Sequence, residues 1–216
     1  MLAIFDVEGV LFDAEYLPVL AEERGREDEI WEITRRGIEG TIDWEEGLRK
    51  RVELLRGIDY GTCERIAGAL PIMTGARELC GALKGAGWRL MAVSGGFTIM
   101  TDRLKRELGL DVVLSNELVF QDNQLDGVRI KVGSDKAFAA AEAIASMGER
   151  KEDTVAIVDG ANDIKLFDVC GLGIAFRAQD IVRERADAVL EEKDLAGALR
   201  VINERYGTSI SASAKG

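Results

Sequence analysis

The stretch "AIFDVEGVLFD", residues 3–13, sets an apolar run directly against Asp6 and then places Glu8 and Asp13 across a turn. An unbroken apolar run of this kind marks a strand buried on both faces. In open parallel sheets ligands sit beyond the carboxyl ends of the strands, so Asp6 and Glu8 stand where a site is expected. Further along the chain, short apolar runs recur at "WRLMAVS", "VVLSN", "TVAIVD" and "LGIAF". Between most of them lie segments of helical periodicity, such as "TDRLKRELGL" and "DKAFAAAEAIASMG". The alternation predicts an α/β fold whose parallel sheet is covered by helices.

The pattern breaks between residues 14 and 71. There "EIWEITRRGIEG", "DWEEGLRKRVELLRG" and "TCERIAGAL" follow one another as amphipathic helices with no strand between them. This predicts a small α-helical cap domain, residues 14–71, inserted into a Rossmann-like core built from residues 1–13 and 72–216. A second break, "LVFQDNQLDGVRI", reads as two short strands about a polar turn, a hairpin. The small, polar "GTSISASAKG" at the end reads as a frayed tail.

Composition narrows the function classes. The 216 residues carry 28 Lys and Arg against 39 Asp and Glu, and 28 − 39 gives −11, a field that repels nucleic acid and anionic lipid. No histidine is present, which removes Ser-His-Asp and Cys-His catalysis and every His-ligated metal site. Cys63, Cys80 and Cys170 are scattered and odd in number, which suggests neither a disulfide framework nor a zinc ribbon. A strand starting at residue 2 leaves no room for a signal peptide, and no apolar run approaches the ~18 residues of a membrane span. The expectation is an intracellular, cytoplasmic protein with a small-molecule substrate and neither nucleic acid nor membrane as partner.

Three strand ends carry polar residues together. Asp6, Val7 and Glu8 follow the first strand, Ser94, Gly95 and Gly96 follow "LMAV", and Asp159 to Asp163 ("DGAND") follow "TVAIV". Each alone reads equally well as a helix cap or a turn. Together, Asp6, Asp159 and Asp163 would repel one another in a low-dielectric crevice unless a cation sat among them, and oxygen-only ligands point to Mg²⁺. Ser94, beside two glycines and before a helix, suits the grip of a phosphate.

The order "FDVEGV", "VSGG", Lys136 opening a helix and then "DGAND" resembles the haloacid dehalogenase superfamily. With its helical insertion and the stretch "LRKRVELL", the chain looks like the phosphoserine phosphatase branch over residues 2 to 203. The resemblance implies that Asp6 is a nucleophile that becomes an aspartyl-phosphate. It further implies that Asp6, Asp159 and the main-chain carbonyl of Glu8 hold Mg²⁺, with Asn162 and Asp163 steadying the metal and its loop. Ser94, with the adjoining Gly95, and Lys136 bind the phosphoryl oxygens, and Glu8 is the general acid and base. Glu15 and Arg51 match the positions that hold the serine amine and carboxylate.

The residues support some of these roles independently. Phosphoryl transfer depends on charge neutralisation and positioning, which a metal and a lysine supply. Lys131 competes with Lys136 for the cationic role, but it lies in the predicted hairpin, whereas Lys136 opens a helix. On the helix "EEGLRKRVELLR", at about 100° per residue, Leu48, Val52 and Leu55 share a face, Arg51 borders it and Lys50 points away. Arg51 is then either a snorkelling edge residue or a guanidinium aimed at a carboxylate. Trp44 and Ile38 are candidates for the pocket wall or for the core.

Two positions leave the family pattern: Glu8 stands where Asp is usual and Val158 where Gly is usual. Both are expected inside the reaction centre, and the extra methylene of Glu8 is expected to misplace its carboxyl. The expected function is Mg²⁺-dependent hydrolysis of a small phosphomonoester, phosphoserine first. The alternatives are another phosphometabolite, a weakly active or non-catalytic phosphate-binding relative, and a receiver-type signalling domain, against which the helical insertion argues.

Overall fold

The computed structural model describes residues 1–39 and 41–212. Its centre is a seven-stranded sheet in the order β4-β3-β2-β1-β5-β6-β7. The strands are β1 (Leu2–Phe5), β2 (Arg89–Phe97), β3 (Val112–Gln121), β4 (Gln124–Arg129), β5 (Thr154–Val158), β6 (Leu172–Phe176) and β7 (Ala188–Leu190). All neighbours are parallel except β3 and β4. β1 is central, with Phe5 level with Ala92 on one side and Ile157 on the other. Its four residues are all fully buried, as two covered faces require.

Alternation along β1 feeds two apolar layers. Ala3 and Phe5 face a large cluster that takes in helices α5 (Ala76–Gly85), α6 (Thr98–Leu108) and α8 (Ala198–Tyr206). Leu2 and Ile4 face a smaller one against α7 (Lys136–Ser146). Because β2 and β5 leave β1 in opposite directions across the sheet, a crevice opens beyond their carboxyl ends.

Helices α1 (Tyr16–Ala21), α2 (Glu27–Ile38), α3 (Trp44–Leu54) and α4 (Tyr60–Ala69) fill the interval between β1 and α5. Asp43 and Asp59 cap α3 and α4, their carboxylates accepting from the Glu46 and Thr62 N–H groups at 2.8 and 3.0 Å. The two chain crossings into and out of this segment pair with each other: Asp13 N–H donates to Pro71 O, and Met73 N–H to Leu11 O, both at 2.9 Å. Tyr16, Leu20, Ile30, Leu48, Val52 and Leu55 are buried in the same cluster as the sheet's Phe5 and Phe97, so helices and sheet share one apolar layer.

The β3–β4 hairpin turns at Asp122 and Asn123, both with positive φ (49° and 64°), the backbone of a tight two-residue hairpin. Its strand β3 is a continuation of "VVLSN": one ten-residue strand pairs with β2 and then with β4, where the sequence suggested two separate runs. The hairpin also ties down the helical segment, with Gly57 N–H donating to Leu125 O and Leu125 N–H to Ile58 O, both at 2.8 Å. β7 and a nine-residue 3-10 segment, Ala161–Val169, went unforeseen. The expected frayed tail falls in part on residues 213–216, outside the described residues. No helix among the described residues is long and apolar enough to cross a membrane.

Candidate active site

Asp6 follows the last residue of β1 and is held there by its own N–H, which donates to Ile157 O at 3.1 Å. Lys136, the first residue of α7, reaches the same point with its Nζ 2.8 Å from Asp6 Oδ1 and 2.6 Å from Asp163 Oδ1. Asp135 starts that helix by accepting from Phe138 N–H at 3.2 Å, which fixes where Lys136 emerges. Lys131 is elsewhere: it pairs with Glu117 at the base of the hairpin.

One carboxylate oxygen each from Asp6, Asp159 and Asp163 lies within 4.8 Å of the others. Gly9, at φ 82°, lets the backbone pass against the Asp159 carboxylate, where a side chain would collide. Burial, with the Asp6 charge second, pushes the Asp159 carboxyl up to about 7. The same two causes push Asp163 well above the carboxylate range. Both Asp163 oxygens are buried without a well-directed hydrogen bond. The Lys136 ammonium thus touches two of the three clustered carboxylates, and the oxygen-only donor set fits a hard divalent cation.

A cavity of ≈ 70 Å³ spans this cluster and the helical segment. At the sheet end it is lined by Asp6, Lys136, Asp159, Asn162, Gly95 and Gly96. Ser94 itself is buried behind that wall, and its hydroxyl accepts from Gly96 N–H at 2.9 Å. Ser94, Gly95 and Gly96 lie within β2, not after it, where its register with β3 shifts between Val93 and Phe97. Asn116, unnoticed in the sequence, pins this loop: its Nδ2 donates to Gly95 O at 2.9 Å, while its Oδ1 accepts from Lys131 and Val132 N–H at 2.8 Å.

At the helical end the cavity meets Glu8, Glu15, Arg51, Thr34 and Trp44. Trp44 lies over the glycine loop so closely that a Cβ on Gly95 would stand 2.6 Å from Cζ2 of the indole. The side chain of Ile38 lies outside what the structure describes. Arg51 is buried while Lys50 points to solvent and pairs with Glu46 at 2.7 Å, the division expected from the helical periodicity. Glu15 precedes α1; burial first, then the charges of Glu8, Asp159 and Asp6, push its carboxyl well up, with Arg51 opposing.

Glu8 is the acid whose extra methylene sets it apart from the family pattern. Its side chain stands outside the three-carboxylate cluster, because Oε1 accepts from the Tyr16 N–H at 2.6 Å, at the start of α1. The extra methylene therefore serves as reach toward a helix N-terminus, a favourable place for an anion. Burial raises the Glu8 carboxyl and Asp6 adds to it, with Tyr16 N–H, Arg51 and Lys136 pulling the other way. Val158 differs from expectation: its side chain is fully buried in the apolar layer against α7 and does not line the cavity.

A carboxylate at the end of a central strand, paired to a lysine and facing a second acid across a small cavity, has the chemical equipment for nucleophilic attack and proton transfer. The family model for haloacid dehalogenase-like hydrolases matches residues 3–168. The chain belongs to that family. This hydrolase is 40% identical over 204 residues to a phosphoserine phosphatase of Archaeoglobus fulgidus, covering 93% of this chain and 59% of the relative. The phosphoserine phosphatase of Methanocaldococcus jannaschii is 39% identical over 204 residues, covering 93% of this chain and 97% of the relative. Among solved structures, a phospho-aspartyl intermediate analogue of phosphoserine phosphatase superposes with a TM-score of 0.88 at 38% identity, covering 93% of this chain and 97% of the other. A substrate-bound phosphoserine phosphatase complex gives the same TM-score, 0.88, at 37% identity, with 93% of this chain and 97% of the other covered.

Proposed function

We propose that this hydrolase is a Mg²⁺-dependent phosphoserine phosphatase working through an aspartyl-phosphate on Asp6. The observation that carries the reading is the polarity of the cavity: Asp6 and Lys136 at one end, Arg51 between two acids at the other. A phosphoryl group suits the first end, and a carboxylate with a neighbouring amine suits Arg51 and Glu15 at the second. The names of relatives at 39 and 40% identity support the same substrate.

In the proposed reaction the Asp6 carboxylate attacks phosphorus and the bond to the seryl oxygen breaks. Glu8, whose raised carboxyl holds a proton readily, gives it to the departing oxygen, and serine leaves. Glu8, now a carboxylate held by Tyr16 N–H, takes a proton from water, whose oxygen attacks the phosphorus. The Asp6–phosphorus bond breaks, and inorganic phosphate and free Asp6 result. Lys136 and Gly95 of the glycine loop bind the phosphoryl oxygens, while Ser94 fixes that loop by accepting the Gly96 N–H. Asn162 walls the same end. Asp6, Asp159 and Asp163 would hold Mg²⁺, which when bound supplies charge neutralisation at the phosphoryl oxygens.

Residues 14–71 act as a cap that carries substrate choice on Glu15, Arg51 and Trp44, and residues 1–13 with 72–216 form the catalytic core. The net charge of −11 favours a small phosphorylated metabolite that the local cations can attract over a nucleic acid. The test is phosphate release from a panel of phosphorylated metabolites, with and without Mg²⁺, for wild type and Asp6→Asn. Phosphoserine should lead the panel and Asp6→Asn should be inactive while still folded; turnover by Asp6→Asn near the wild-type rate would remove Asp6 as nucleophile.

A further inference from the structure

We propose that Thr34 is a positioning residue for substrate recognition, its hydroxyl oxygen on α2 aiming the Arg51 guanidinium of α3 into the cavity. The inference rests on the phosphoserine reading, in which Arg51 receives the substrate carboxylate.

Thr34 is only 2% exposed, and it lines the cavity. Its hydroxyl donates to Ile30 O at 2.8 Å, one turn back in α2. With its single proton committed there, the oxygen can only accept from other groups. Arg51 Nη1 makes use of this and donates to Thr34 Oγ1 at 3.1 Å. Its Nε donates to Gly47 O at 3.3 Å, one turn back in α3. Two of the five guanidinium N–H groups are therefore fixed by oxygens on two different helices, leaving the others for a ligand.

Both of these oxygens are uncharged, and that decides what the arrangement can do. A buried arginine is usually hydrogen-bonded to a carboxylate, which would occupy its donors before substrate arrived. Glu8 and Glu15 act on the Arg51 charge through space, but the hydrogen bonds that fix the plane of the guanidinium go to a hydroxyl and a carbonyl, so its remaining N–H donors stay available to an incoming anion. A planar fork with free donors matches a carboxylate in two parallel hydrogen bonds. Threonine suits the task because its branched Cβ restricts χ1 within a helix, so the oxygen stays where Arg51 needs it. Recognition of the carboxylate is thereby coupled to the packing of α2 on α3.

The experiment compares phosphoserine with phosphoethanolamine, which keeps the amine and phosphate and lacks the carboxylate. Initial rates are measured for wild type, Thr34→Val and Thr34→Ser. Thr34→Val keeps the shape and removes the acceptor, so KM for phosphoserine should rise about tenfold, the scale of one hydrogen bond to a charged group. Its kcat, and KM for phosphoethanolamine, should stay within about twofold of wild type, well inside that scale. Thr34→Ser should return KM for phosphoserine toward wild type. Should valine not fold, Thr34→Ala, a better helix former, gives the same split. An equal rise in KM for both esters, or no rise for phosphoserine, overturns the positioning role. A wild type that does not prefer phosphoserine to phosphoethanolamine overturns the substrate reading itself, and this inference with it.

Discussion

Lys136 Nζ lies 2.8 Å from Asp6 Oδ1, joining the end of the central strand to the first residue of a helix that begins 130 positions later. The ammonium also contacts Asp163, so it is the protein's own counter-charge for two carboxylates that would otherwise be buried together. In the proposed reaction, catalysis and stability meet in this one side chain.

Lys136→Met should therefore lose both. Removing one partner of a buried ion pair costs about 3–5 kcal/mol, and losing an electrostatic contact at the reacting group costs roughly 10²–10³ in rate. The matched control is Lys131→Met, which removes a surface pair with Glu117 and should leave kcat and Tm near wild type. Thermal denaturation and phosphate release on the two variants decide the matter; similar losses in both would return Lys131 to contention.

The acidic cluster predicts an unusual pH response in metal-free protein. Asp159 rises from 3.8 unfolded to about 7 folded, so between those values the native state binds more protons than the unfolded one. Stability must then fall as pH rises through that window, by about 4 kcal/mol or roughly 8–16 °C in Tm. Carboxylates held low by basic partners, such as Glu107 and Glu149, act in the opposite sense but only below their ordinary 4.5. Scanning calorimetry in chelator should show Tm dropping from pH 5 to 7.5, and Mg²⁺ should raise Tm more at pH 7.5 than at pH 5. A Tm that climbs over this interval, or a Mg²⁺ effect independent of pH, would place the metal away from these three aspartates.

The outline of this site was legible in the sequence because strand ends announce themselves: apolar runs stop at Asp6 and Asp159, which follow β1 and β5, whereas Ser94 falls inside β2 and not at its end, and a sheet brings such ends together. What stayed hidden is side-chain business across the fold. Asn116 is a strand residue whose partners are the backbone of Gly95 and of residues 131 and 132, and Thr34 acts on a helix 17 positions away. Nothing in local composition points to either. Val158 looked like a disturbance of the site, yet alternation along β5 turns it into the core. Three residues with no periodicity of their own, β7, could be found only by their pairing with β6.

The thiols should be inert in the native protein. Burial pushes Cys63 up to about 11, and Cys80 and Cys170 to about 12, so almost none is thiolate at pH 8. Native protein treated with iodoacetamide should remain unmodified by mass while denatured protein gains three adducts, one for each cysteine in the sequence. Rapid labelling of any one cysteine in the native state would show that its layer opens.

The most informative substitution is at Glu8, because the reach of its side chain is what the structure uses. Its Oε1 sits 2.6 Å from the Tyr16 N–H, at the mouth of α1, and a Cβ on Gly96 would stand 2.9 Å from its Oε2, so the carboxyl is held between a helix terminus and the glycine loop. Glu8→Asp shortens the arm by one methylene. The extra methylene, expected from the sequence to misplace the carboxyl, is what reaches Tyr16, so shortening the arm breaks that contact and withdraws the acid from the glycine loop. A misplacement of ~1 Å costs on the order of a hundredfold in rate, so Glu8→Asp should lower kcat on phosphoserine. Glu8→Gln keeps length and the hydrogen bond while losing the proton, which is worth roughly 10²–10⁴ on an alkyl ester whose leaving oxygen must be protonated. On an aryl phosphate, whose leaving group departs as a stable anion, both variants should form the aspartyl-phosphate at near wild-type rate, visible as a burst of phenol, and then stall because water is no longer activated. Burst and steady-state kinetics of the three proteins on both ester types give the answer. A Glu8→Gln enzyme that matches wild type on phosphoserine means the proton comes from another group, and a Glu8→Asp enzyme faster than wild type means the bond to Tyr16 hinders turnover.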